Sequence, residues 1–216
     1  MIKIIYLLVI SLFLGCSFKS PPNEWQYKSV NAFDAYTKDF LRGNDKMAKY
    51  DLNRAIKHAK MSADLTTLAK VYLGKCALNI SVGIDDRCDE YKSISELIDD
   101  TKLDAYYNLI SLNLDRLQPD KLDKNYQKFA LYLVKKDMSQ AKKALLDINK
   151  PTSKLLAASL IKNNLDNQIR KEMLESASFL GYKKSVLFWL NELKVHTKDT
   201  NKLKKIRKKI EVIKSK

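Results

Sequence analysis

The sequence predicts an all-α protein. Apolar residues recur three and four positions apart along most of the 216 residues, which is the period of one helix face. Glycine and proline are scarce, with 5 and 4 residues, so there is little turn material for the many short strands of an all-β domain. The alternating pattern of β-branched and polar residues that marks strands is nearly absent. We therefore expect ten or so amphipathic helices joined by short turns.

Residues 27–83 are predicted to contain the first three helices. The first ends at Gly43-Asn44, a pair that tolerates positive φ, and Asp45 is expected to cap the second. The third ends at Gly83. The apolar faces of these helices are Val30, Phe33, Tyr36 and Phe40; Ala48, Leu52, Ala55, Ile56 and Ala59; and Leu65, Leu68, Ala69, Tyr72, Leu73, Cys76 and Ile80.

Boundary signals predict shorter helices in the rest of the chain. Polar residues that cap helices, prolines that favour a first turn and a glycine that ends a helix recur between apolar stripes. These signals are Thr101 with Asp104 (a capping box before a helix over 103–114), Pro119, Asp137, Pro151 and Gly181.

Three helix–turn–helix junctions share one spacing, in which apolar residues follow the turn residue at offsets of five, nine and twelve. The three sets are Gly43 with Ala48, Leu52 and Ala55; Lys136 with Ala141, Leu145 and Ile148; and Gly181 with Val186, Leu190 and Leu193. This spacing resembles the second half of a tetratricopeptide (TPR) repeat, where a small residue lets two helices approach closely. The resemblance implies an irregular TPR-like helical hairpin solenoid over residues 27–200. An irregular α-helical bundle is the alternative.

The N-terminus carries an export signal. Lys3 precedes an apolar run of eleven residues, which suits a signal peptide but falls short of the roughly 20 that span a membrane. The run closes on Leu14-Gly15-Cys16, which resembles the lipobox of bacterial lipoproteins. The resemblance implies cleavage after Gly15, removal of residues 1–15 and diacylation of the Cys16 thiol. The alternative is an ordinary secretory signal, although such signals favour a small-x-small cleavage site.

The lipoprotein resemblance also implies a location. Residues 16–26 would form the lipidated N-terminus and a linker, in which Ser-Pro-Pro favours extended backbone. Ser17 follows the cysteine, whereas Asp at this position commonly retains lipoproteins in the inner membrane of enterobacteria. The expected location is the bacterial cell envelope, lipid-anchored in the outer membrane and facing the periplasm.

The two remaining cysteines, Cys76 and Cys88, flank a turn marked by Gly83 and Asp85-Asp86. In an oxidising compartment such a pair favours a disulfide. The closed loop would stabilise the fold by about 3 kcal/mol. The alternative is that both are small buried apolar residues, because Cys76 lies on an apolar helix face.

The sequence contains no residue set that supports catalysis. The nucleophile elbow, the HExxH zinc motif, the P-loop and the Rossmann glycine pattern are all missing. Only two histidines occur, His58 and His196, and neither cysteine has the spacing of a metal ligand. Paired carboxylates such as Asp99-Asp100 fall at turn and cap positions, where they bind backbone N–H groups. We expect no catalytic residue, no metal and no cofactor.

The formal net charge of +15 is concentrated near the C-terminus. Residues 201–216 are predicted to form an amphipathic helix with Leu203, Ile206, Ile210 and Ile213 on one side. Its basic surface is Lys202, Lys204, Lys205, Arg207, Lys208 and Lys209. Either the apolar side caps the domain and the basic side is solvated, or the basic side binds anionic phospholipid or an acidic partner. Behind an export signal, nucleic acid is not an expected partner.

These features together predict an envelope lipoprotein that acts as a protein–protein interaction scaffold or adaptor. The partner would be another envelope protein, and the membrane would be contacted through the N-terminal lipid. A cell-wall-acting or other envelope enzyme is the alternative. A pocket with convergent carboxylates would favour the enzyme, and a continuous groove lined by Tyr and Asn would favour the adaptor.

The lipobox interpretation makes a direct prediction. Cys16→Ser removes the thiol that would be acylated, so metabolic labelling with a fatty acid should be lost and the protein should move to the soluble periplasmic fraction. Unchanged labelling and continued fractionation with membranes would contradict the interpretation.

Overall fold

The computed structural model describes residues 23–215, and within this range the protein is all-α, with eleven α-helices and no strand. This confirms the predicted fold class. The helices are α1 (Glu24–Arg42), α2 (Asp45–Ala59), α3 (Thr66–Ser81), α4 (Asp89–Ser95), α5 (Thr101–Ile110), α6 (Lys124–Val134), α7 (Met138–Leu146), α8 (Pro151–Leu160), α9 (Asn167–Phe179), α10 (Lys183–Val195) and α11 (Thr200–Lys214). Short 3₁₀ turns at Pro119–Lys121 and Lys162–Asn164 precede α6 and α9.

Five helices end with the same backbone geometry. At the end of α1, the Gly43 N–H donates to the Phe40 carbonyl (3.1 Å) and the Asn44 N–H to the Asp39 carbonyl (2.9 Å). This is the Schellman motif, which needs a residue with positive φ. Equivalent pairs of hydrogen bonds occur at each of the positive-φ residues Gly43 (84°), Gly83 (77°), Leu112 (54°), Lys136 (57°) and Gly181 (67°). The motif satisfies the last carbonyls of each helix and reverses the chain within a few residues.

Three of these turns join antiparallel hairpins, which are α1–α2, α6–α7 and α9–α10. They are the three junctions that share one spacing in the sequence. Small residues lie where the helices cross, since Ala48, Ala55 and Ala141 are buried. In the first hairpin, the buried Ser29 hydroxyl donates to the Ala55 carbonyl across the crossing, at 2.8 Å.

Helix α3 lies at the centre of the fold. Its sequence predicts one apolar stripe, but its buried residues point in every direction around the axis, as expected of a helix covered on several sides. They are Thr67, Leu68, Ala69, Val71, Leu73, Cys76, Ala77, Leu78 and Ser81. Neighbours of α3 include α1, α2, α4, α5 and α8.

The Cys76 and Cys88 sulfur atoms lie 1.98 Å apart, at disulfide distance, with their Cα atoms 5.3 Å apart. The pair joins the C-terminal half of α3 to the residue before α4. The intervening loop is held by Asp86, whose carboxylate accepts from the Cys88 N–H (2.8 Å) and from the Asn79 side-chain amide (2.7 Å).

Helices that are distant in the sequence pack together. Helix α3 packs on α8, and α1 contacts α10. After α3, the Phe188 ring of α10 lies directly on the backbone of Gly83. Lys184 of α10 reaches Asp45 at 2.6 Å and lies 3.9 Å from the centre of the Phe40 ring. In a linear solenoid each unit contacts only its neighbours, so these contacts depart from that arrangement.

Two predicted element boundaries at the ends of the domain are shifted. Residues 24–26, predicted as linker, belong to α1, because the Asn23 carbonyl accepts from the Gln26 and Tyr27 N–H groups and starts the helix there. Helix α11 begins at Thr200 rather than 201, because the Asp199 carboxylate caps it. The predicted cleavage and lipidation residues, Gly15 and Cys16, lie outside the described residues, as does Lys216.

Two predicted caps are wrong. Asp45 is the first residue of α2 rather than its cap, and its carboxylate pairs with Lys184. Asp100, not Thr101, caps α5 by accepting from the Lys102 and Leu103 N–H groups. Asp104 instead accepts from the Tyr91 hydroxyl, at 2.7 Å. The predicted helix over 103–114 ends at Ile110 because Leu112 adopts positive φ.

The contact between Gly83 and Phe188 predicts different effects for two similar substitutions. Both Gly83 and Gly181 have positive φ, so alanine strains either backbone by roughly 1–2 kcal/mol. A Cβ at Gly83 would lie 2.6 Å from two Phe188 ring carbons, whereas nothing lies within 4 Å of one at Gly181. We expect Gly83→Ala to lower the free energy of unfolding by about 1–3 kcal/mol more than Gly181→Ala, measured by urea denaturation. Equal losses would mean that α10 does not pack on this turn.

Candidate functional site

A groove of about 1240 Å³ lies among helices from both halves of the described chain. Its lining residues come from two sets of helices. One set is α1 and α3; the other is α5, α6 and α8, with the 3₁₀ turn before α6. Tyr182, which follows the turn between α9 and α10, also lines it.

The α1–α3 part of the groove depends on one close helix approach. A Cβ at Gly74 would overlap the Phe33 ring, so glycine is what lets this ring of α1 lie against the α3 backbone. A glycine inside a helix costs about 1 kcal/mol relative to alanine, and here it permits close packing. Phe33, Leu78 and Ala77 contribute the apolar surface of this part, and Thr37 adds a hydroxyl.

The other part of the groove is built mainly from helix N-termini. Lys102 lies in the first turn of α5, Lys124 and Asn125 begin α6, and Thr152 and Ser153 lie in the first turn of α8. The first backbone N–H groups of a helix have no partner within the helix, and the helix dipole makes that end positive. Asp100 and Asp123 cap α5 and α6, whereas α8 has Lys150 at its cap position and no side-chain cap.

Two packed tyrosines contribute aromatic surface to the groove. The rings of Tyr106 and Tyr126 lie 5.9 Å apart. Burial raises the pKa of Tyr106 well above its ordinary value, and burial also raises the pKa of Tyr126. Both hydroxyls are therefore neutral at physiological pH, where they can donate and accept hydrogen bonds but cannot act as bases.

The charged residues of the groove are mainly basic. Its lysines are Lys38, Lys102, Lys121, Lys124 and Lys150, and its aspartates are Asp34, Asp120 and Asp123. Lys121 lies 3.4 Å from Asp120, whereas the other four lysines form no ion pair with any described residue. The Asp123 carboxylate is engaged with the Asn125 backbone N–H at 2.9 Å, and this hydrogen bond is the main cause of its lowered pKa.

This arrangement does not assemble a general acid and base. Asp120 and Asp123 already have partners, which leaves Asp34 as the one groove carboxylate without a hydrogen bond or ion pair among the described residues. His58 lies on α2 and His196 follows α10, and neither lines the groove. Two converging carboxylates of different pKa, as acid–base catalysis would need, are not found in the described lining.

The cysteine loop has the only cluster of metal-ligating residue types found within residues 23–215, which consists of Cys76, Asp86 and Cys88. Paired as a disulfide, these sulfur atoms are not the thiolates that bind metals. The Asp86 carboxylate is engaged with Cys88 and Asn79. The cluster therefore serves to hold the loop.

The predicted basic surface lies on one side of α11, opposite the apolar residues that recur three and four positions apart. All six of its residues are exposed: Lys202, Lys204, Lys205, Arg207, Lys208 and Lys209. On the opposite side, Ile210 is buried and Leu203, Ile206 and Ile213 are partly buried. Helix α11 contacts α10. The apolar side thus packs on the domain while the basic side faces outward.

No protein-family model, curated protein or solved structure matches this chain. Over residues 23–215, no helix combines the length and the apolar character that crossing a membrane requires.

The groove was not predicted from the sequence. Tyr126 was assigned to an apolar helix face and is buried there, but its part in the groove depends on α8 and α3, which are distant in the sequence. One local signal was present. Lys102, Lys124 and Lys150 each lie next to a predicted or observed helix start, where carboxylates are favoured and lysines are not.

The two sides of α11 predict separable effects in the full chain carrying Cys16→Ser, which has no lipid to mask weak membrane binding. Replacing Lys204, Lys205 and Lys208 with Gln should weaken binding to anionic vesicles, since each basic residue contributes about 1 kcal/mol or less. Stability should not change. Ile210→Ala removes a buried side chain and should lower the free energy of unfolding by about 2 kcal/mol. Vesicle co-sedimentation and thermal unfolding measure the two effects.

Salt provides the control for this prediction, because added salt screens exposed charges within a Debye length of roughly 8 Å. If the parent chain does not bind anionic vesicles even at low salt, the basic side of α11 is only a solvated surface.

Proposed function

We propose that this protein is a lipid-anchored envelope adaptor that binds a partner protein in the groove. The anchor is the diacylated Cys16, the location is the periplasmic face of the outer membrane, and the role is assembly or maintenance of the envelope. The observation that carries the proposal is the groove itself, which is lined by Tyr, Asn, Gln and Lys side chains from helices of both halves of the chain.

The hairpins support a TPR-like architecture as the finer description of the fold. The three junctions that share one sequence spacing also share the Schellman turn and the small or apolar residue at the crossing. We propose three TPR-like hairpins whose array is closed by the α1–α10 and α3–α8 contacts rather than left open. Helical-hairpin arrays commonly present concave surfaces for binding other proteins, and this groove is such a surface.

Binding is a better match to the lining than catalysis. The groove offers aromatic surface, amide side chains and lysines, which recognise a partner through apolar contact, hydrogen bonds and charge. Two of its three carboxylates are engaged within the protein. An envelope enzyme would need an acid–base pair that the described lining does not supply.

Site-specific photocrosslinking in the native envelope tests this proposal. A photoreactive amino acid replaces Thr37 or Gln127 in the groove, and Tyr50 or Lys57, which are exposed on α2 outside the groove, serve as controls. We expect an adduct of discrete mass from the groove positions and none from the α2 positions. Adducts of equal yield from both surfaces, or none from the groove, would contradict an adaptor that binds there.

A further inference from the structure

We infer that the groove binds an acidic, extended polypeptide segment of the partner. This inference rests on the proposed function and adds the chemistry of the partner. The size of the groove, the charge of its lining and its apolar surface support it.

The size of the groove favours a chain segment over a small molecule. Its volume is about 1240 Å³, whereas pockets for small ligands measure roughly 300–1,000 Å³. Its lining spans five helices and a 3₁₀ turn, so contacts are spread over many elements rather than converging on one point. A segment several residues long could use all of these contacts.

The charge of the lining favours a negative occupant. Lys38, Lys102, Lys124 and Lys150 have no ion-pair partner among the described residues, and three of them lie at helix starts, where a positive charge is unfavourable. Two first-turn lysines elsewhere do have a carboxylate partner: Lys184 pairs with Asp45 (2.6 Å) and Lys202 pairs with Asp199 (3.8 Å). Carboxylates brought by a partner would complete the missing pairs in the groove.

The groove also offers apolar and aromatic surface beside its lysines. Phe33, Leu78, Leu122 and Leu156 line it together with the tyrosines. In an extended segment, successive side chains point to opposite sides. Acidic residues can then face the lysines while the intervening residues contact the apolar and aromatic lining.

The protein's own N-terminal segment does not suit this groove. Between the predicted lipidation site and the first described residue, residues 17–22 contain Lys19 and no carboxylate. Such a segment would add a positive charge to a basic groove. Charge complementarity therefore favours an acidic segment from another protein.

The test uses the full chain, extracted from membranes in a non-ionic detergent. The probe is a fluorescein-labelled peptide of alternating Glu and Tyr, and its control has Gln in place of Glu. The groove variant is Lys102→Glu with Lys124→Glu, whose new carboxylates lie in first turns where they favour the helix. The matched control is Lys46→Glu with Lys171→Glu, two exposed lysines outside the groove. Both variants change the net charge equally.

We expect the groove variant to weaken binding of the acidic peptide by roughly tenfold or more, in fluorescence anisotropy at physiological salt, and the control variant to weaken it by about twofold or less. The Gln peptide should bind much more weakly to the parent chain. Circular dichroism and thermal unfolding verify that each variant is folded. The milder pair Lys102→Gln with Lys124→Gln should give an intermediate loss.

Three results would overturn the inference. Equal losses in the two Glu variants would indicate general attraction to a basic protein, and equal binding of the Gln peptide would exclude recognition by charge. The third result concerns competition between the peptide and anionic phospholipid vesicles. If this competition occurs with the parent chain and is lost only in the groove variant, the groove binds lipid. The adaptor proposal is tested independently by photocrosslinking from Thr37 and Gln127. A discrete protein adduct from these positions would support the adaptor proposal even if the acidic-segment inference fails. A missing adduct would contradict the adaptor proposal itself.

Discussion

The burial of α3 on all sides is the constraint on which the rest of the structure depends. A helix with apolar residues around its whole circumference must be covered by several neighbours, and here α1, α2, α5 and α8 provide the cover. Gly74 within it admits the Phe33 ring, and Gly83 after it admits the Phe188 ring. Because α1 and α8 both pack on α3, they line one groove, although more than a hundred residues separate them. The groove is a consequence of how α3 is covered.

The sequence determines local structure more visibly than it determines these contacts. Gly43, Asp137, Pro151 and Gly181 mark helix boundaries through backbone preferences that operate within a few residues, and the structure has boundaries at all four. Leu112 is the informative failure, because nothing in its side chain favours positive φ, yet the turn after α5 requires it. The residue that caps α5 could not be predicted for a related reason. Asp100 and Thr101 are adjacent and both can cap a helix, and only the backbone geometry decides that Asp100 does so.

The candidate site was harder to predict than the fold. The paired cysteines and the basic side of α11 are local patterns, and the structure places those residues as the patterns suggest. The groove instead combines residues from Asp34 to Tyr182, so no sequence window contains it. Its lysines look like the solvated residues found on any basic protein. Three of them, Lys102, Lys124 and Lys150, lie at helix starts and form no ion pair with a described residue, and this can be recognised only once the helices and their neighbours are known.

The two basic regions of the protein should respond differently to their surroundings. On α11 the charges lie on an exposed surface, where salt screens them within roughly 8 Å and where we expect only a diffuse attraction to anionic membrane. The groove lysines are also exposed, but they lie on a concave surface shared with Tyr106 and Tyr126, and three of them are near the positive ends of helix dipoles. Low-dielectric walls concentrate the field of charges lining a cleft, so we expect attraction there to fall less steeply with added salt than attraction to α11. Although α11 is the more conspicuous region in the sequence, the groove is therefore the better place for selective binding of a partner.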